Sequence, residues 1–126
     1  MTLTGHATVL LVRDVRRSAD YYRDKLGFEV ECWDVNPEHY AYARRDSCSI
    51  HLACFAAARP QPNSEAVPPD MFDVYVYADD VDGLHRELVE RGADIHGPPA
   101  AREYGMYDFR VSDADGYVLG FGRGSG

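Results

Sequence analysis

Hydrophobic and polar positions follow one succession of patterns in the first half of the chain. Residues 9–12 are all apolar, which is typical of a strand buried on both faces. Asp14 is a candidate helix N-cap, and apolar side chains then recur at helical spacing until Gly27. The Asn36-Pro37 pair indicates a turn. Strands are predicted for three further runs, 28–34, 40–44 and 49–55. The first half therefore predicts the order βαβββ.

The same succession returns in the second half of the chain. Residues 73–77 alternate as a strand does, Asp80 is the next candidate N-cap, and a second helical stripe ends at Gly92. Three short strands are predicted at 94–96, 107–112 and 117–121, the last two joined by the turn 113–116. The second half again predicts the order βαβββ.

Because the halves match element by element, we predict an α+β fold made of two βαβββ modules. The predicted boundaries are 1–59 for the first module, 60–69 for a proline-rich connection and 70–126 for the second module. Each module covers one sheet face with its helix, so the bare concave faces are expected to pair, within one chain or across a dimer. The space between paired faces is the natural ligand site.

Composition and charge narrow the possible functions. The 126 residues include 13 Lys or Arg and 21 Asp or Glu, giving a net charge of −8. An acidic chain is a poor match for nucleic acid and accepts neutral or cationic small ligands more easily. We expect a cytoplasmic protein, because the sequence contains neither a membrane-length apolar run nor a signal-peptide pattern. Reduced thiols are expected for the cysteines, Cys32, Cys48 and Cys54.

Two sequence phrases resemble the vicinal oxygen chelate superfamily, which includes glyoxalase, bleomycin resistance proteins and dioxygenases. The first is Val12-Arg13-Asp14-Val15 followed by Leu26-Gly27-Phe28, and the second is Asp113-Ala114-Asp115-Gly116-Tyr117. The resemblance covers nearly the whole chain and implies paired βαβββ modules around a concave cavity. The phrases encode helix caps and turns, so they indicate the fold and not the reaction.

Metal-dependent members of that superfamily carry His or Glu ligands at four strand positions. These positions correspond here to Ala7, His51, Asp73 and Gly120. Only His51 and Asp73 have donor atoms, whereas a Lewis-acidic metal is typically held by at least three protein ligands. The comparison therefore implies that there is no cofactor. The alternative is a lyase, isomerase or dioxygenase with a divalent metal on His6, His51 and Asp73, which needs a shifted strand register at His6.

Without a metal, the chain is similar to the bleomycin resistance proteins, which bind an antibiotic without changing it. This likeness implies a homodimer that sequesters a planar, cationic small molecule and binds neither nucleic acid nor membrane. The residues predicted to contact that ligand are Trp33, His51, Asp73, Tyr75, Tyr77, Tyr104, Tyr107 and Arg110.

Several of these residues have a simpler structural interpretation. By strand alternation Tyr75 and Tyr77 face the cavity, where they either contact a ligand or only fill the inner layer. Trp33 stacks on the ligand or lies at a rim or dimer interface. The Tyr104-Gly105 pair resembles a loop over the ligand, or is an ordinary connection. Arg110 either points to solvent or meets a carboxylate. A third interpretation of the whole chain is a dimeric interaction module without any ligand.

Overall fold

The computed structural model describes residues 1–33, 38–55 and 58–125. The predicted turn at Asn36-Pro37 and the last residue of the predicted strand 28–34 lie outside these ranges. The chain divides into two compact units, Met1–Pro60 and Gln61–Gly126. Each unit contains one mixed β-sheet and one long α-helix, so the predicted α+β class and its βαβββ modules are confirmed.

The first unit has the predicted element order. Its elements are β1 (Thr8–Leu11), α1 (Val15–Leu26), β2 (Glu29–Cys32), β3 (Tyr40–Arg45) and β4 (Cys48–Ala53). The sheet order is β1-β4-β3-β2, with β1 parallel to β4 and the other pairs antiparallel. One sheet face and the apolar stripe of α1 supply the buried side chains, among them Leu10, Ala41, Ile50, Leu52, Tyr22 and Leu26.

Both ends of α1 follow from local chemistry. The Asp14 carboxylate accepts a hydrogen bond from the Arg17 backbone N–H at 3.1 Å, which satisfies one of the free donors in the first turn. At the other end, Gly27 adopts the left-handed conformation (φ 75°), which a residue with a Cβ adopts only at a cost. The helix therefore spans the residues between these two signals.

Replacing Asp14 with alanine is expected to lower the free energy of unfolding by about 1 kcal/mol, because the cap acceptor is lost. Asp14→Ser is the matched control, since a serine hydroxyl accepts the same bond. Urea denaturation of both variants measures the effect. An equal loss in the alanine and serine variants would contradict the capping role.

The second unit repeats this arrangement with two additional short elements. Its elements are α2 (Asn63–Ala66), β5 (Val74–Tyr77), α3 (Val81–Arg91), β6 (Asp94–Ile95), β7 (Ala100–Ala101), β8 (Met106–Ser112) and β9 (Val118–Gly124). The sheet order is β5-β9-β8-β6, and β7 pairs with β8. Neither α2 nor β7 was predicted, because four- and two-residue elements are too short for a periodic pattern.

The proline-rich segment is held against the second unit. The Asn63 backbone N–H donates to the Asp73 carboxylate at 2.8 Å, and the Asn63 side-chain amide donates to the Phe72 carbonyl at 3.0 Å. The Gln61 N–H donates to the Tyr117 hydroxyl at 3.1 Å. Residues 61–69 therefore belong structurally to the second unit, although their composition predicted a connection.

The second sheet has two chemically different faces. Helix α3 covers one face, where the His85 and Phe109 rings are 5.1 Å apart and Val111, Leu119 and Phe121 are buried. Strand alternation places the other residues of β5, β8 and β9 on the opposite face, called here the open face of the second unit. Its members include Tyr75, Tyr77, Asp108, Arg110, Ser112, Gly120 and Gly122.

Within the described residues, no helix is both long enough and apolar enough to span a bilayer.

Candidate functional site

A buried carboxylate organises the open face of the second unit. Asp108 on β8 has no exposed surface, and both of its oxygens accept hydrogen bonds. Arg102 Nε donates to Oδ1 at 2.8 Å. The hydroxyls of Tyr75 and Tyr104 donate to Oδ2 at 2.8 and 2.6 Å. Three donors from two segments, β5 and the connection between β7 and β8, therefore meet at one carboxylate.

These contacts set the ionisation states of Asp108 and of the two tyrosines. Burial alone raises the pKa of a carboxyl, but the hydrogen bonds from Tyr104, Arg102 and Tyr75 outweigh it and hold the pKa of Asp108 below its ordinary value. Burial, followed by the contact with Asp108, raises the pKa of Tyr75 and of Tyr104. Asp108 therefore remains a carboxylate and the two tyrosines remain neutral donors at neutral pH.

A second cluster continues along the same face from Arg110. The Arg110 guanidinium donates to both oxygens of Asp70, at 3.2 and 3.3 Å, and to the Tyr104 hydroxyl at 3.3 Å. It also lies over the Phe72 ring, 4.6 Å from the centroid. His96 approaches Asp70 through Nδ1 at 3.4 Å and Ser112 Oγ through Nε2 at 2.6 Å. Arg110 was predicted either to point to solvent or to meet a carboxylate, and the structure shows the carboxylate partner.

Aromatic rings lie directly on a glycine-rich part of β9. The rings of Phe72 and Tyr75 meet edge to face, with centroids 4.9 Å apart. A Cβ atom at Gly120 would be 2.7 Å from Phe72 Cδ1. A Cβ atom at Gly122 would collide with the Tyr75 hydroxyl and lie 2.8 Å from Asp108 Cβ. The absence of side chains at Gly120 and Gly122 is therefore what lets Tyr75 reach Asp108.

The first unit carries a smaller aromatic cluster on the sheet face away from α1. The Tyr40 hydroxyl is hydrogen-bonded to His51 Nδ1 at 2.9 Å. The Tyr42 ring lies 4.9 Å from the His51 ring and 5.5 Å from the Tyr40 ring. Burial, with a contribution from Tyr42, raises the pKa of Tyr40. His51 is therefore a hydrogen-bonded member of an aromatic cluster.

The structure brings together only some of the residues predicted to contact a ligand. Tyr75, Tyr104 and Arg110 belong to the joined clusters around Asp108 and Asp70. Tyr77 lies on the same face, 5.8 Å from the Tyr75 ring, and is 81% exposed.

Two predicted site residues lie elsewhere in the second unit. The carboxylate of Asp73 accepts from the backbone N–H groups of Asn63 and Val118, so it links the proline-rich segment to the start of β9. Tyr107 has odd parity on β8, which places it on the face covered by α3, and its hydroxyl donates to Asp82. The remaining predicted contact, Trp33, is partly exposed directly after β2.

The donor atoms at the four expected metal positions do not form a ligand set. Gly120 has no donor, and the Phe72 and Tyr75 rings occupy the space where a side chain would project. Both oxygens of Asp73 are used by backbone N–H groups, and Ala7 offers none. His6 is exposed before β1. Across residues 1–33, 38–55 and 58–125, no group of three or more His, Cys, Asp or Glu side chains is arranged to hold a metal ion.

Six residues of the site were not predicted from the sequence. They are Asp70, Phe72, His96, Arg102, Asp108 and Ser112. A signal existed for Asp108, because Asp108, Arg110 and Ser112 form a polar period-two stripe on β8. Phe72 and Asp70 lie between the proline-rich segment and β5, and local patterns do not reveal that this stretch packs against the site.

Comparison with known proteins identifies a family and a set of similar folds. A family model described as the Glyoxalase/Bleomycin resistance protein/Dioxygenase superfamily matches residues 4–121. A search of curated proteins finds no match.

Three solved structures illustrate the likeness. The bleomycin-binding protein of Streptomyces verticillus, complexed with copper(II)-bleomycin, is 22% identical, with a TM-score of 0.73 and coverage of 99% of each chain. TioX from Micromonospora sp. ML1 is 18% identical, with a TM-score of 0.72 and coverage of 96% of this chain and 98% of its own. A superfamily member from Sphaerobacter thermophilus is 19% identical, with a TM-score of 0.71 and coverage of 96% and 97%. At these identities the likeness concerns the fold.

Proposed function

This chain belongs to the Glyoxalase/Bleomycin resistance protein/Dioxygenase superfamily, and on that premise we propose that it binds and sequesters a small planar molecule without a metal cofactor. The observation that carries the proposal is the occupation of the space at Gly120 by the rings of Phe72 and Tyr75. Where metal-dependent relatives place a ligand carboxylate, this chain has aromatic surface. Such surface suits stacking on a flat ligand.

The rings on the open face are held in position before any ligand arrives. Tyr75 and Tyr104 are fixed by their hydrogen bonds to Asp108, and Tyr77 contacts Tyr75. Tyr104 is 49% exposed and Tyr77 is 81% exposed, so both rings have free surface. Rings that are already ordered lose little conformational entropy on binding, which favours affinity.

The charges of this face are balanced by pairing. Arg102 is paired with Asp108, and Arg110 with Asp70. The preference for a cationic ligand in this proposal therefore comes from the net charge of −8 spread over the whole chain. Attraction of that kind acts at long range and is screened by salt.

Metal-free bleomycin is the first compound to test, because a structurally similar protein is complexed with copper(II)-bleomycin. We expect saturable binding of metal-free bleomycin to chelator-treated protein by isothermal titration calorimetry. Tyr77→Ala is expected to weaken binding roughly 2- to 10-fold through the loss of one stacking ring. Tyr107→Ala is the control, because Tyr107 lies on the opposite face of the same sheet. Equal weakening by both variants, or no binding by the wild-type protein, would contradict this proposal.

A homodimer is part of the same proposal. The first unit leaves Val9, Trp33 and Tyr42 between 40% and 53% exposed. A second copy of the chain covering such apolar surface would remove it from water. Light scattering coupled to size-exclusion chromatography is expected to give twice the chain mass of 14.1 kDa. A mass equal to one chain would refute the dimer.

A further inference from the structure

Asp70, His96 and Ser112 form a hydrogen-bonded series at one end of the open face of the second unit. His96 Nδ1 lies 3.4 Å from Asp70 Oδ2, and His96 Nε2 lies 2.6 Å from Ser112 Oγ. The side chains of His96 and Asp70 are 26% and 20% exposed, so both are partly open to solvent. A hydroxyl, an imidazole and a carboxylate in this order are the parts of an activated serine nucleophile.

The backbone of the second unit holds the three side chains in place. Ser112 ends β8 and faces the open side. His96 follows β6, and its backbone N–H donates to the Arg110 carbonyl at 2.9 Å, which keeps it beside β8. Asp70 is fixed by the Arg110 guanidinium. The series is therefore anchored by two neighbouring strands and one ion pair.

The partners of His96 determine its tautomer. Asp70, paired with Arg110, acts as an acceptor, so the neutral imidazole carries its hydrogen on Nδ1. This leaves the lone pair of Nε2 to accept the hydrogen of the Ser112 hydroxyl. That is the orientation in which an imidazole acts as a general base toward a serine.

We propose that Ser112 is a nucleophile activated by His96 and that the protein hydrolyses small activated carboxylic esters. Oγ bonds to the carbonyl carbon while its proton passes to His96 Nε2. The ester C–O bond then breaks, and the alcohol leaves with the proton from His96. Water attacks the acyl carbon, giving its proton to His96. The carboxylic acid departs as that proton returns to Ser112 Oγ.

The Arg110 guanidinium, which is paired with Asp70, lies on the same face as Ser112. It lies two residues before Ser112 on the same side of β8, about 7 Å along the strand. The proposed hydrolysis does not rest on the proposed ligand binding, because it uses different side chains. The failure of either proposal leaves the other standing.

Labelling with a fluorophosphonate tests whether the nucleophile exists. Ser112 Oγ bonds to phosphorus, the P–F bond breaks, and fluoride leaves while the serine proton passes through His96 to solvent. We expect one adduct per wild-type chain, mapped to Ser112 by peptide mass spectrometry, and hydrolysis of 4-nitrophenyl acetate above the buffer rate. Ser112→Ala is expected to lose both. Ser47→Ala, in an exposed turn, is the control and keeps both.

Variants of His96 test the activation. His96→Ala is expected to lower the labelling rate about 100-fold, as the loss of a general base does. Added imidazole is expected to restore part of this rate, which a purely structural role would not allow. Circular dichroism checks folding, and His96→Gln replaces the alanine variant if that variant does not fold. The absence of an adduct on wild-type protein, an adduct at another residue, or an unchanged rate in the folded His96 variant would overturn the proposal.

Discussion

Asp108→Ala is expected to lower the free energy of unfolding by about 3–5 kcal/mol, as the removal of one partner from a buried ion pair does. The variant leaves Arg102, Tyr75 and Tyr104 without their common acceptor. Unpaired donors in a part-buried setting add a further cost. Denaturant unfolding at neutral pH measures the loss.

Two control variants distinguish the loss of the hydrogen bonds to Asp108 from the loss of a negative charge. Asp79→Ala removes an exposed carboxylate from the same unit and is expected to change stability by less than about 0.5 kcal/mol. Asp108→Asn keeps the shape and one oxygen, so its loss should be smaller than that of the alanine variant. Similar losses in Asp108→Ala and Asp79→Ala would show that Asp108 does not organise this face.

The same carboxylate predicts how stability depends on pH. Because the pKa of Asp108 is lower in the folded protein, its contribution is fully present above the unfolded value of about 3.9 and is lost as pH falls through the folded value. The wild-type protein should therefore lose more stability on acidification through this range than Asp108→Asn. Parallel pH profiles of the two proteins would contradict the assignment.

Gly122→Ala is expected to destabilise the fold by about 1–3 kcal/mol through overpacking. The added methyl group collides with the Tyr75 hydroxyl and lies 2.8 Å from Asp108 Cβ. The collision is relieved only if the Tyr75 ring moves, and that movement breaks the hydrogen bond from Tyr75 to Asp108. We therefore also expect weaker binding of metal-free bleomycin by this variant.

The chain provides a close control for this substitution. Gly124 lies on the same strand and the same face, and a Cβ atom there would have nothing within 4 Å. Gly124→Ala should therefore leave stability and binding unchanged. Thermal unfolding of both variants distinguishes a specific collision from a general effect of alanine in β9. Equal destabilisation by the two substitutions would contradict the packing described for Tyr75.

Much of the fold was predictable because its signals are local. The Asp14 cap, the Gly27 stop and the 113–116 turn each depend on a few neighbouring residues, and the structure contains all three. The Asp113 carboxylate accepts from the N–H groups of Asp115 and Tyr117, as an aspartate at the start of a turn does. Helix caps and turns can therefore be predicted from the sequence without knowledge of the tertiary structure.

The site was less predictable because it depends on contacts between distant segments. Strand alternation places Tyr75 and Tyr77 on one face, as the structure shows. The same rule puts Tyr107 at an odd position of β8, which points it toward α3. The partner of Arg110 is Asp70, forty residues away, directly after the proline-rich connection and outside any predicted strand or helix. Gly120 was noted as a missing ligand, while its role beneath Phe72 and Tyr75 follows only from packing.

We propose that ligand binding by this protein needs no metal ion. The most direct measurement combines elemental analysis of protein purified without chelator with calorimetric titration of metal-free bleomycin before and after chelator treatment. We predict substoichiometric metal and the same bleomycin affinity in both titrations. A stoichiometric divalent metal whose removal abolishes binding would contradict the account.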